Sequence, residues 1–260
     1  NRCRRQRQMC IRDSYYFGGC ALSDFDMVIR GGTVVNAAEI SKCDVGVKGG
    51  RIVALGENLT AGAQEIDATG KYVMPGGIDS HCHIDQRSSG GGRNSETFES
   101  GTRSAACGGT TTIICFAAQE KGELLTPVVE AYHDKAKQSC IDYSFHLIIS
   151  DPSDGVMHEE VPKLIKAGHR SLKLFMTYPR NRLNDAEILR VLEVAKLNQA
   201  LVCVHAENHD AIMYMTEKLL AADKNSTKHH AWAKPPLVER EATHRMIMLA
   251  ELLDVPIQIF

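Results

Sequence analysis

After Pro75 the chain keeps one rhythm, an apolar strand and then an amphipathic helix, at a period of roughly thirty residues, which is the unit of a parallel α/β fold. Strand-like runs fall at 77–81, 110–116, 143–149, 171–175, 201–205 and 255–260. The clearest helix follows Asn184, an N-cap with Glu187 three positions into the helix in a capping-box arrangement. It puts Ile188, Leu189, Leu192, Ala195 and the stem of Lys196 on adjoining turns. Another is expected over 239–253, ending before Pro256. Strands and helices in this order fit an α/β fold of the incomplete (β/α)8 TIM barrel type, holding strands one to six, and fit a doubly wound sheet less well.

Residues 24–74 have a different texture. Short β runs at Met27-Val28-Ile29, Thr33-Val34-Val35, Val45-Gly46-Val47, 51–55 and Tyr72-Val73-Met74 are separated by Gly and Asn turns. Lys48-Gly49-Gly50-Arg51 is a two-residue hairpin signal. A small antiparallel module, the N-terminal β-sandwich portion, is expected over 24–74, with the partial barrel domain over 75–260. Residues 1–23 carry Arg2, Arg4, Arg5, Arg7 and Arg12 with no apolar segment behind them, so they read as a leader or a non-native segment rather than a secretory signal.

Composition narrows the class of function. Thirty Lys plus Arg against 32 Asp plus Glu give a net charge of −2, so no basic field attracts nucleic acid or anionic lipid. No apolar run reaches membrane-spanning length. Nine cysteines, an odd number without a CxxC, read as reduced thiols of a cytoplasmic protein. A small polar ligand is the expected partner.

Chemistry concentrates at the strand ends. In Asp79-Ser80-His81-Cys82-His83, side chains alternate along a strand, so His81 and His83 point the same way and can grip one cation. Imidazole suits zinc. In Leu172-Lys173-Leu174, Lys173 takes the face opposite two leucines and so points into the barrel. A buried amine loses its proton more readily, and a neutral amine adds carbon dioxide to give a carbamate that can bridge two cations. His205 ends the run Leu201-Val202-Cys203-Val204. Together these supply most of a binuclear site whose bridging hydroxide would attack an acyl carbon. His146 reads as a satisfied core histidine, His229 and His230 as surface or interface residues, and Asp79 as a partner behind the ligands.

The sequence resembles the amidohydrolase superfamily, in its dihydropyrimidinase and hydantoinase branch of cyclic amidases. The resemblance spans 26–260 and rests on Gly31-Gly32-Thr33-Val34-Val35, Pro75-Gly76-Gly77-Ile78-Asp79-Ser80-His81-Cys82-His83, Phe98-Glu99-Ser100-Gly101-Thr102, Gly108-Gly109-Thr110-Thr111, Lys173-Leu174-Phe175-Met176-Thr177-Tyr178, His205-Ala206-Glu207-Asn208 and the run from Pro235 to Ala242. It implies two zinc ions per full-length subunit, one on His81 and His83, the other on His205, bridged by carboxylated Lys173. It implies that Tyr178, which before Pro179 would otherwise read as packing, donates a hydrogen bond to the developing oxyanion. It also implies ring opening of 5,6-dihydropyrimidines or hydantoins to N-carbamoyl amino acids, a place in pyrimidine catabolism and a homotetramer. Asp85 stands where dihydroorotases carry an arginine, which argues against that branch, and the Gly-rich stretch 88–93 departs from the usual dihydropyrimidinase loop. An allantoinase-like ureide hydrolase and a non-catalytic scaffold of the same family are the alternatives. The fourth histidine ligand and the catalytic aspartate are expected beyond Phe260.

Overall fold

The structure, a computed structural model, describes residues 24–87 and 92–260. The segment 1–23 read as leader or non-native lies outside the described residues. Contacts divide the chain after Pro75 into two compact units.

The first unit is one five-stranded sheet in which β1 (Phe25–Val35), β2 (Ile40–Lys48), β3 (Arg51–Gly56) and β4 (Gly62–Asp67) lie in the order β3-β2-β1-β4, with β5 (Tyr72–Val73) also on β1. The hairpin signal is realised between β2 and β3, where Gly49 and Gly50 both take positive φ, 58° and 70°. That is a conformation L side chains resist, and it matches the twist of the strands it joins. Two corrections apply. The runs at Met27 and Thr33 belong to a single strand bent by a bulge between Ile29 and Gly32. The sheet is mixed, not antiparallel, because β4 and β5 run parallel to β1. β4 went unread because its sequence, Gly62-Ala63-Gln64-Glu65-Ile66-Asp67, is mostly polar and mostly exposed.

The second unit follows the strand-helix rhythm. Its strands are β6 (Gly77–Asp79), β7 (Thr110–Ala118), β8 (Asp142–Ile148), β9 (Ser171–Phe175), β10 (Leu201–His205) and β11 (Ile257–Ile259), lying side by side in chain order. Every neighbouring pair is parallel. The sheet curls: the rings of His81 and Phe260, just past its two end strands, lie 4.3 Å apart. This is a partial barrel, and the whole chain is an α/β fold of the type expected.

Between the strands run α1 (Phe98–Cys107), α2 (Leu125–Ala136), a π-helical turn leading into α3 (Val161–Lys166), α4 (Asp185–Leu197), α5 (His209–Ala221), the single turn α6 (His230–Ala233) and α7 (Pro236–Leu253). The capping box at the head of α4 is formed, with the Asn184 side chain accepting from the Glu187 N–H and the Glu187 carboxylate from the Asn184 N–H. The helix read over 239–253 begins three residues earlier, with Pro236 at the first helical position, where its missing N–H costs nothing. Ile188, Val191 and Leu192 of α4 and Ala242, Met246 and Leu249 of α7 join Leu172, Leu174, Val202 and Val204 of the sheet in one core. Fully burying each of the Val, Leu, Ile and Met side chains among them is worth about 1.5–3 kcal/mol. The leucines flanking Lys173 are thereby committed to the helix side, which leaves Lys173 the concave face.

Candidate active site

A cavity of about 780 Å³ opens over the C-terminal ends of the strands, and His81, His83, Lys173, Tyr178 and His205 all line it. The histidine pair reaches it by a different route from the one the sequence suggests. β6 stops at Asp79, whose carboxylate accepts the His81 N–H at 3.0 Å and turns the chain off the sheet. His81 and His83 therefore sit on a loop, their rings 5.5 Å apart, and the loop rather than strand alternation aims them. His83 stacks on Phe116. The Nδ1–H of His83 donates to Gln86 Oε1 at 2.6 Å, since an amide oxygen can only accept, and this leaves Nε2 with its lone pair. His146 is the satisfied core residue expected: Nε2–H donates to Ser80 O at 2.9 Å, and Nδ1 accepts from the Ser171 hydroxyl at 2.6 Å.

Lys173 is the anomaly of the site. It is 1% exposed, and its Nζ has no hydrogen-bond partner among the described residues. Three aromatic rings surround the ammonium, Phe260 at 4.2 Å, Phe175 at 5.1 Å and Phe116 at 5.7 Å. Ring faces offset only part of the cost of taking an ammonium out of water. Burial pushes the amine down to about 8 from its usual 10.5. His81 is held at about 4, by burial first, then by the Lys173 ammonium and by His83 and His146. At neutral pH it is an uncharged imidazole, the form that ligates metals.

On the far side of the cavity, His205 ends β10 and its ring lies 5.3 Å from that of Tyr178. Its Nε2 is 3.0 Å from Glu207 Oε2, the same oxygen that accepts from Lys234 Nζ at 2.8 Å. Tyr178 itself holds φ at +68°. For a bulky aromatic residue that is an outlier, costing of order 1–3 kcal/mol, and such strain collects at functional sites. The carbonyl of Tyr178 accepts from the N–H groups of Asn181 and Arg182, which locks the turn. At the mouth, Glu120 is paired with Arg87 at 3.4 Å and Arg180 at 3.2 Å. Asp85 is turned toward Lys135, 3.6 Å away.

Sequence reasoning missed the roles of Gln86, Glu207, Lys234 and the aromatic cage. Glu207 stood in a quoted motif, two residues after a candidate ligand. Lys234, remote in sequence and next to two prolines, gave no signal. Among the described residues, no group of three or more His, Cys, Asp and Glu side chains is close enough to hold a metal ion unaided. The five expected residues share one cavity, but the histidines alone do not complete a coordination set.

A curled parallel sheet with histidines, a buried lysine and a strained tyrosine gathered over the C-terminal strand ends has the layout of a barrel enzyme. The chain belongs to the amidohydrolase family, whose profile matches residues 72–254. Among curated relatives, the D-hydantoinase of Ralstonia pickettii is 42% identical over 236 residues, 90% of this chain and 51% of that protein. A dihydropyrimidinase of Arabidopsis thaliana is 37% identical over 245 residues, 93% of this chain and 46% of that one. A solved D-hydantoinase structure superposes with a TM-score of 0.87 at 42% identity, covering 90% of this chain and 51% of the other. The chain thus spans about half the length of the relatives it matches. Hydantoinases of this family are generally metal-dependent. No helix among the described residues is long and apolar enough to cross a membrane.

Proposed function

We propose that the full-length protein is a zinc-dependent cyclic amidohydrolase that opens 5,6-dihydropyrimidine or hydantoin rings to N-carbamoyl amino acids. The observation that carries this reading is Lys173, a buried amine without a hydrogen-bond partner among the described residues, in a cavity that also holds His81, His83 and His205. An unpaired ammonium there is a liability unless the site uses it. Addition of the Lys173 nitrogen to carbon dioxide forms an N–C bond and releases a proton. The group becomes a carboxylate, contributing the oxygen donors that the histidines lack.

In this reading His81 and His83 would hold one zinc ion and His205 a second, and carboxylated Lys173 would contribute oxygen donors to both. Zinc, when bound, supplies Lewis-acid activation of a carbonyl and of the attacking water. The chain's own residues supply the rest. Gln86 fixes the His83 ring with Nε2 free. The Tyr178 hydroxyl donates to the oxygen of the ring carbonyl as charge develops on it, from a turn whose backbone is already locked. The mouth, lined by Arg87, Glu120 and Arg180, admits a small ring and its substituent. A cytoplasmic homo-oligomer, a tetramer by resemblance to the family, is part of the same proposal.

The test is turnover by the full-length protein supplied with zinc and bicarbonate. Hydantoin should yield N-carbamoylglycine, and dihydrouracil should yield N-carbamoyl-β-alanine. Turnover of neither ring would overturn the reading.

A further inference from the structure

We propose that Lys234 is a positioning residue which, through Glu207, fixes the His205 ring in one tautomer and at the same time holds the Tyr178 ring, so that ligand and oxyanion donor are set by one ion pair. The proposal rests on the cyclic-amidase reading above. Glu207 Oε2 lies 3.0 Å from His205 Nε2, and a carboxylate can only accept, so Nε2 carries the proton and Nδ1 is the nitrogen left for a metal. Ligating histidines are commonly oriented by a carboxylate on their other nitrogen in this way. The same oxygen accepts from Lys234 Nζ at 2.8 Å. That ammonium also stands 5.2 Å from the centre of the Tyr178 ring, which in turn lies 5.3 Å from the His205 ring.

The pair is substantially withdrawn from solvent, with side-chain exposures of 21% for Lys234 and 15% for Glu207. The backbone behind it is fixed. The Asn208 N–H donates to Val238 O at 3.0 Å, and its side-chain amide donates to Glu241 Oε2 at 2.6 Å, tying the end of β10 to the first turns of α7. Lys234 enters the site from the link into that helix, so its reach to Glu207 is set by two rigid elements.

The experiment is a double-mutant cycle in the full-length protein, with zinc affinity as the readout independent of activity. Lys234→Met should lower kcat about 10–100-fold with KM nearly unchanged, and weaken zinc binding by a similar factor, measured by competition with a chelator. Lys234→Arg should restore both, since a guanidinium can still pair with the carboxylate. In a Tyr178→Phe background, with zinc held saturating so that the weakened His205 ligand no longer limits occupancy, Lys234→Met should lower kcat by less than about threefold, because the hydroxyl it positions is already gone. Equal losses of kcat in both backgrounds, or zinc affinity identical to the parent protein, would overturn the proposal. If Lys234→Met fails to fold, Lys234→Gln, of similar length and without charge, carries the same expectations. A protein that turns over no cyclic amide would sink the functional reading, while the zinc measurement would still decide the positioning role.

Discussion

At the scale of single residues the site is governed by what each polar atom has been given to touch. His146 has both nitrogens occupied by Ser80 O and the Ser171 hydroxyl, so it stabilises the sheet and the turn before His81 without chemistry of its own. The Lys173 ammonium has no hydrogen-bond partner among the described residues, and Tyr178 is held in a strained turn with its ring beside His205. Tyr178→Phe preserves the ring and the packing while removing the donor. Because a donor aimed at a developing charge acts mainly in the transition state, kcat on hydantoin should fall about 10²–10³-fold, with zinc content and KM little changed. A kcat within a few-fold of the parent would return Tyr178 to a packing role.

Elements carry a second kind of prediction. The head of α4 is closed by the reciprocal Asn184 and Glu187 hydrogen bonds, at 3.0 and 2.7 Å. Asn184→Ala should cost about 1 kcal/mol, read as a lower urea midpoint with unchanged slope. The join between α2 and the turn before β9 should be sensitive to pH, because His133 Nε2 and His169 Nε2 lie 3.2 Å apart and only one N–H fits between them. Burial and then His133 hold His169 below its usual 6.5. The folded protein therefore binds a proton at that ring less readily than the unfolded chain does, so stability should fall as pH drops below about 6.5. Replacing His169 by Leu should make the melting temperature fall less steeply between pH 6.5 and 5. An unchanged slope would show that other groups carry the acid sensitivity.

For the molecule as a whole, the cavity and the partial barrel share one feature, a buried lysine that lines the one and burdens the other. Zinc bound to the native state alone should stabilise the full-length protein, by about 2.7 kcal/mol at a free concentration of 100 times Kd. Lys173→Ala should lose most of that increment, because two cations without a shared anion repel each other. The zinc-free variant should be no less stable than the zinc-free parent, since an unpaired buried ammonium has been removed along with some packing. Thermal melts with and without chelator, on parent and variant, check both outcomes. An undiminished zinc increment in the variant would remove Lys173 from the metal site.

Local regularities determined most of the architecture from the sequence alone. The strand-helix period, the Asn184 cap, the Gly49-Gly50 hairpin and the inward face of Lys173 are fixed by rules acting over a few residues, and each is found where it was read. What the sequence could not determine depended on groups far apart in the chain. The bulge that joins the two runs of β1 lies in its pairing with β2, and the polar β4 is a strand because β1 supplies a parallel template for it. The geometry of His81 and His83 was decided by the Asp79 turn, which ends the strand two residues earlier than alternation assumed. The Lys234, Glu207 and His205 chain needed the link into α7 to be laid against the end of β10. Secondary structure answers to neighbours in sequence, whereas a hydrogen bond between remote side chains depends on how whole elements pack, and only the tertiary fold specifies that.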